Sequence, residues 1–206
     1  MTEKISGYII DNIIYKNEKI ETQEKEIMIF GMTRILEDLP KFIIIILICF
    51  TLGFLKELAI VFVITTLYKT FVGGAHCKTN LECLLFSLIY FLLPIILAKS
   101  LIYDSVYLYI LTIATFIYSL VVITKAPYDT EEIPIIKKEK RKKLQTYARI
   151  SICLMTLITM LFIKNPETIK IIIYTVLLIN IFTSNKIYKF LRCKHGYESI
   201  EYKDSY

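Results

Sequence analysis

The sequence predicts an all-α, polytopic membrane protein with about six transmembrane helices and an N-terminal amphipathic helix. Three observations carry that expectation. The 206-residue chain is 55% hydrophobic, with a mean hydropathy of +0.56, which sets it apart from ordinary soluble domains. Uncharged stretches run 42–55, 58–68, 84–98, 105–124, 150–163 and 171–185. The lysines and arginines fall between these blocks, so a net charge of +6 reads as membrane topology rather than a phosphate-binding face. A nucleic-acid partner is not expected.

Residues 1–38 form the first segment. Ile5, Ile9 and Ile13 recur at four-residue spacing with Lys and Glu between and after them, which suits a helix lying on the membrane surface. A solvated helical arm fits the same pattern equally well. Residues 1–40 are charged and amphipathic, so no signal peptide is expected before the first apolar block. Pro40 is placed to open the first membrane helix, a position where proline is tolerated.

Of the apolar stretches, only 105–124 reaches the usual twenty residues, and the others need polar ends to span. Residues 42–68 are interrupted by Lys56 and Glu57. They could form one long helix with buried charges or a tight hairpin of two short ones. Charge counting favours the hairpin. Lysine and arginine number six in 1–41, two in 69–80, eight in 125–149 and five in 186–206, with Lys56, Lys99, Lys164 and Lys170 the remainder. Six spans place the four basic-rich regions on one side, 21 positive residues inside against four outside. A single span would put the basic N-terminus and the 125–149 loop on opposite sides. The expected division is therefore an N-terminal cytosolic or interfacial segment 1–38, a membrane domain 39–190 and a cytosolic tail 191–206.

The chemistry concentrates between spans two and three, in FVGGAHCKTNLEC, residues 71–83. This stretch holds one of two histidines and two of five cysteines. His76 and Cys83 are seven residues apart, two turns of an ideal helix. Gly73 and Gly74 favour a turn instead, so the expected geometry is a glycine turn leading through His76 to a helix that begins near Cys83. An imidazole beside a thiol at a helix N-terminus makes a nucleophile, since the base takes the proton and the dipole stabilises the thiolate. The plainer reading is a small buried hydrophobe. Zinc is a third, with His76, Cys77 and Cys83 as ligands, but no second cluster completes a four-ligand set.

The other features read as structural. Pro94 should kink the helix that carries Cys83. The loop APYDTEEIPIIKKEKRKK, residues 126–143, has two prolines that oppose regular helix. Its basic run, Lys137, Lys138, Lys140, Arg141, Lys142 and Lys143, should lie near anionic lipid headgroups or an acidic partner. Glu57 is either an intramembrane charge or a solvated hairpin residue. Cys49 and Cys153 look like packing residues, and Cys193 and His195 like ordinary tail residues. The five cysteines show no paired spacing, which points to reduced thiols facing the cytosol rather than a disulfide framework.

The Gly-Gly-x-His turn, the cysteine seven residues later, the six spans and the APYDTEEIP loop together resemble the accessory gene regulator B (AgrB) family. The resemblance covers the chain from roughly the first span to the last. It implies a multi-pass bacterial cell-membrane cysteine endopeptidase that processes an AgrD-type quorum-sensing propeptide into a cyclic thiolactone or lactone at a cytosolic active site. The implied catalytic pair is His76 and Cys83, with Lys69, Thr70, Gly73, Gly74 and the basic run as substrate-binding or supporting residues. Lys69 departs from the arginine common at its position, and Cys77 from the usual small residue after the histidine. No cofactor or metal is implied. A homo-oligomer and a separate exporter of the cyclic peptide are compatible with this reading. The competing readings are a small transporter or channel-like protein gated by residues 71–83, and a structural scaffold. A transporter would need intramembrane charges that the spans do not show.

Overall fold

The computed structural model describes residues 2–14, 22–75, 77, 79–131 and 134–196. Among them the architecture is all-α. The helices are α1 (Thr2–Ile9), α2 (Thr22–Thr51), α3 (Leu55–Ile64), α4 (Thr70–Val72), α5 (Asn80–Ser100), α6 (Ser105–Ile123), α7 (Lys138–Phe162), α8 (Pro166–Phe182) and α9 (Asn185–Phe190). Short π-helical turns follow α1 (Ile10–Ile14) and α3 (Thr65–Lys69). Each of the six apolar stretches falls mainly on a helix. By length and composition α5, α6 and α7 can each cross a membrane, which marks a membrane protein. The chain divides into two compact units, Met1–Gly53 and Phe54–Tyr206.

In the first unit α1 packs antiparallel on the first half of α2. Thr33 donates to Ser6 at 2.9 Å, Thr2 donates to Glu37 at 3.2 Å, and Lys25 pairs with Asp11 at 2.6 Å. The packed positions are Ser6 and Ile10, while Ile5 is exposed. Ile9 is half-buried, and the side chain of Ile13 lies outside the described residues. Pro40 does not open a helix. It lies inside α2, which runs through it even though proline removes one backbone bond. The position is exposed, and Lys41 reaches back to Asp38 at 2.8 Å across it. α2 ends at Thr51, and Gly53 turns the chain at φ +73°, so 42–68 is not one continuous helix.

The second unit is built around α8. It buries Ile169, Ile171, Ile173, Val176, Ile179 and Phe182 together with the polar Lys170, Thr175 and Asn180, as expected for a central helix with neighbours on several sides. α8 packs against α3, α5 and α6, and α6 packs against α7. The inward face of α6 is small and polar. Leu108, Thr112, Thr115, Ser119 and Val122 are buried, whereas Ile110, Ile113, Ile117 and Val121 are exposed. Hydroxyl residues that return a bond to the preceding turn, as Thr112 does to Leu108 and Ser119 to Thr115, let membrane helices approach closely. A buried chain crosses this interface: Tyr68 donates to Asn180 at 2.9 Å, and Asn180 donates to Ser119 at 2.8 Å. Cys153 is exposed on α7 rather than packed, whereas Cys49 is buried. Glu57 pairs at 2.7 Å with Lys99, which also holds Glu167 at 2.6 Å, tying the starts of α3 and α8 to the end of α5.

The basic run does not form a loop. Only Lys137 precedes α7, as its N-cap, and the remaining five basic residues occupy its first turns. Lys and Arg are good helix formers, and that preference prevails although cations oppose the dipole at this end.

Candidate active site

Lys69 closes the π turn after α3, and α4 then carries the chain to Val72. Gly73 adopts φ +80° and Gly74 φ +145°, conformations that glycine reaches without strain. Close approach is the second reason for glycine. The Tyr128 N–H donates to the Val72 carbonyl at 2.8 Å, and the Gly74 N–H donates to the Tyr128 carbonyl at 2.9 Å. A Cβ on Gly73 would overlap the Tyr128 carbonyl oxygen. Ala75 then donates its N–H to the Phe182 carbonyl at 3.2 Å, at the end of α8. The glycine turn is thus held between the 126–130 loop and α8. His76 and Lys78 lie outside the described residues.

The chain re-enters helix at Asn80 through a capping box. The Glu82 N–H donates to Thr79 Oγ1 at 3.2 Å, and the Thr79 N–H donates to Glu82 Oε2 at 3.3 Å. Such reciprocal bonds satisfy donors that a helix start otherwise leaves open. Cys83 is the fourth residue of α5, and its N–H makes the first intrahelical bond, to the Thr79 carbonyl at 3.0 Å. The expected helix start near Cys83 is what the backbone shows. Its side chain is half-buried.

Cys77 lies between these two anchors. With Cys193, Tyr128 and Phe86 it packs on a small cluster of Ala75, Tyr188 and Leu191. Burial pushes the Cys77 thiol up to about 11, with Cys83, Glu82 and Cys193 adding to the effect and Lys69 opposing it. Burial of this kind favours the neutral thiol, which is the weaker nucleophile. Lys69 places its ammonium 4.5 Å from the Tyr90 ring centre and 6.0 Å from that of Phe182, over the faces that attract a cation. Thr70 is exposed at the start of α4.

Of the basic run, Lys137, Lys138, Lys140, Lys142 and Lys143 are exposed. Arg141 is not, and its guanidinium meets Asp129 Oδ2 at 2.9 Å. The tail also departs from expectation. His195 is 3% exposed, stacks on Tyr188 at 3.8 Å between ring centres and meets Asn185 Oδ1 through Nε2 at 3.0 Å. It is docked because its backbone pairs with Thr130 and its ring finds an aromatic face. Asp129, Tyr128, Phe182, Tyr188 and His195 are the site's unanticipated neighbours. The loop 126–134 carries part of the family resemblance, and within it Tyr128 seats the glycine turn through its backbone.

Fold and site together define an all-α membrane protein with a thiol in the first turn of a helix, approached through a clamped glycine turn. The accessory gene regulator B family model matches residues 2–184, and the chain belongs to that family. A putative AgrB-like protein of Listeria monocytogenes is 27% identical over 203 residues, covering 96% of each chain. One from Clostridium acetobutylicum is 28% identical over 146 residues, 71% of this chain and 68% of that protein. The accessory gene regulator protein B of Staphylococcus lugdunensis is 31% identical over 98 residues, 48% of this chain and 50% of the relative. No solved structure matches. Membership places the chain in the accessory gene regulator quorum-sensing system and implies an AgrD-type propeptide partner.

Proposed function

We propose that this protein is a membrane cysteine endopeptidase that cleaves an AgrD-type propeptide and passes the product on as a cyclic thiolactone or lactone. The observation that carries the reading is the position of Cys83. It lies one turn into α5, behind a capping box, downstream of a glycine turn seated on Tyr128 and Phe182. The rival thiol, Cys77, is raised to about 11 by burial.

His76 takes the proton from Cys83 Sγ, and the thiolate attacks the scissile carbonyl. The imidazolium returns its proton to the departing amine as the C–N bond breaks, which leaves an acyl-enzyme thioester. An internal cysteine or serine of the peptide then attacks that carbonyl. His76 accepts its proton, the C–S bond to Cys83 breaks, and the ring closes. Thioester exchange preserves the activated acyl group, so ring closure to a thiolactone needs no nucleotide. A tethered internal nucleophile also outcompetes water through its effective concentration. Lys69 adds positive charge beside the loop thiol. The exposed lysines at the start of α7 attract an acidic propeptide tail, and the active side faces the cytosol.

The test is mass-spectrometric capture of the acyl-enzyme from purified protein in detergent with synthetic propeptide. The adduct should map to Cys83, Cys83→Ala should abolish cleavage, and Cys77→Ala should retain most of it. Cleavage that survives Cys83→Ala and dies with Cys77→Ala would overturn the assignment.

A further inference from the structure

The glycine turn leans on a loop that brings no reacting group of its own. Within Ala126–Thr130, the backbone of Tyr128 makes both bonds to the Val72–Gly74 segment. The next residue, Asp129, buries its side chain to 2% exposure and pairs with Arg141 at 2.9 Å. The Ile135 N–H donates to the same carboxylate oxygen at 2.8 Å. Arg141 does more than neutralise this charge. It also donates to the Ile135 carbonyl at 3.3 Å and to the Pro127 carbonyl at 3.0 Å. One planar fork on α7 therefore grips the loop at residues 127, 129 and 135, a task that suits arginine and not lysine. From the other side, the Asp129 carbonyl receives the Tyr188 hydroxyl at 3.2 Å and the Gly196 N–H at 3.3 Å.

We infer that Asp129 and Arg141 are positioning residues for the reaction, acting through the Tyr128 backbone to seat the Gly73–Gly74 turn that leads into His76. The inference rests on the cysteine-endopeptidase reading and assigns Arg141 a task different from that of its lysine neighbours. Arg141 holds the site, and the exposed lysines face the substrate. Removing Arg141 leaves the buried Asp129 carboxylate without its counterion, removing Asp129 leaves the half-buried guanidinium without its carboxylate, and in both cases the loop shifts to resolve it. A shift of about 1 Å at the turn is enough to lower the acylation rate constant on the order of 10- to 100-fold.

Full-length protein in detergent is mixed with excess propeptide, and the burst of acyl-enzyme gives both the number of competent sites and the rate constant per site. Wild type, Asp129→Asn, Arg141→Gln and the double variant are compared, with substrate carrying its acidic tail intact or neutralised. The expected result is a rate constant lowered to a similar extent in all three variants and for both substrates, because the pair acts as one unit. A fall in burst amplitude with an unchanged rate constant would mean that the pair supports folding only and would overturn the inference. A defect of Arg141→Gln confined to the acidic-tailed substrate would overturn it too, making Arg141 a substrate contact. Multiplying defects in the double variant would show that the residues act separately. Should the wild type give no Cys83-dependent burst, the endopeptidase reading itself fails, an outcome distinct from the other three.

Discussion

Gly73→Ala tests the site at its most constrained backbone position. Gly73 has φ +80° and ψ −150°, a region occupied almost only by glycine, and a side chain there costs on the order of 1–3 kcal/mol in strain. The added Cβ would also overlap the Tyr128 carbonyl oxygen and sit 3.0 Å from its carbon and 3.1 Å from the Tyr128 nitrogen. These are backbone atoms, so no side chain can swing away. The loop must retreat, stretching the Tyr128–Val72 and Gly74–Tyr128 bonds of 2.8 and 2.9 Å, each worth roughly 0.5–1.5 kcal/mol net. The local cost comes to about 2–6 kcal/mol. Gly74→Ala is the internal control. It also has positive φ, but the nearest atom to its Cβ is the Phe182 carbonyl oxygen at 3.7 Å, so it meets strain without a clash. Propeptide cleavage per competent site, read by the acyl-enzyme burst, should fall by about 10²-fold or more in Gly73→Ala and by clearly less in Gly74→Ala. Equal rate constants for Gly73→Ala and wild type would refute the argument that Tyr128 seats the turn.

Two further outcomes follow from the charges around the site. In a variant whose only cysteine is Cys77, maleimide labelling at pH 8 should run on the order of 10²-fold slower than at an exposed thiol, and should climb as pH approaches about 11, because burial favours the neutral form; labelling that levels off below pH 9 would contradict a buried thiol. Lys142→Gln with Lys143→Gln should raise KM for the acidic-tailed substrate at low salt and leave kcat unchanged. That difference should vanish as the Debye length falls from about 10 Å at 0.1 M to about 3 Å at 1 M salt; a defect that persists at high salt would mean that these lysines act at short range.

The sequence exposed the helices of the membrane domain more readily than their faces. Each uncharged stretch became a helix, and the charges at Lys56 and Glu57 marked where a new one starts, because Gly53 breaks the chain just before them. Which side points inward could not be read by soluble-protein habits. α6 buries Thr112, Thr115 and Ser119 and exposes Ile110, Ile113 and Ile117, since lipid accepts the large apolar side chains and helix contact favours small ones. Two boundaries were misplaced for one reason. Pro40 looked like a start and the prolines of 126–143 looked like a long irregular segment, yet flanking helix formers carried helix through Pro40 and began α7 at Lys138.

The candidate site divides along a similar line. Cys83 at a helix start was legible, and the Thr79–Glu82 capping box is the local signal that fixes it. Asp129 and His195 were not. An acid between two prolines and a histidine in a charged tail look solvated until the loop, α7 and the C-terminal segment fold onto one another. One clue to that arrangement lies in KKEKRKK, residues 137–143, where a single arginine stands among five lysines. A run that only attracts an acidic tail or sets topology has no use for the difference, because both residues carry one positive charge. A buried carboxylate flanked by backbone carbonyls does, because the guanidinium spreads its donors over two nitrogens in a fixed planar fork, whereas an ammonium is a single point. The arginine is the residue turned inward, bonded to Asp129, Ile135 and Pro127, and the lysines remain outside. Neutralising the run as a block would therefore combine a loss of steering with a loss of positioning, and only separate substitutions can tell the two apart.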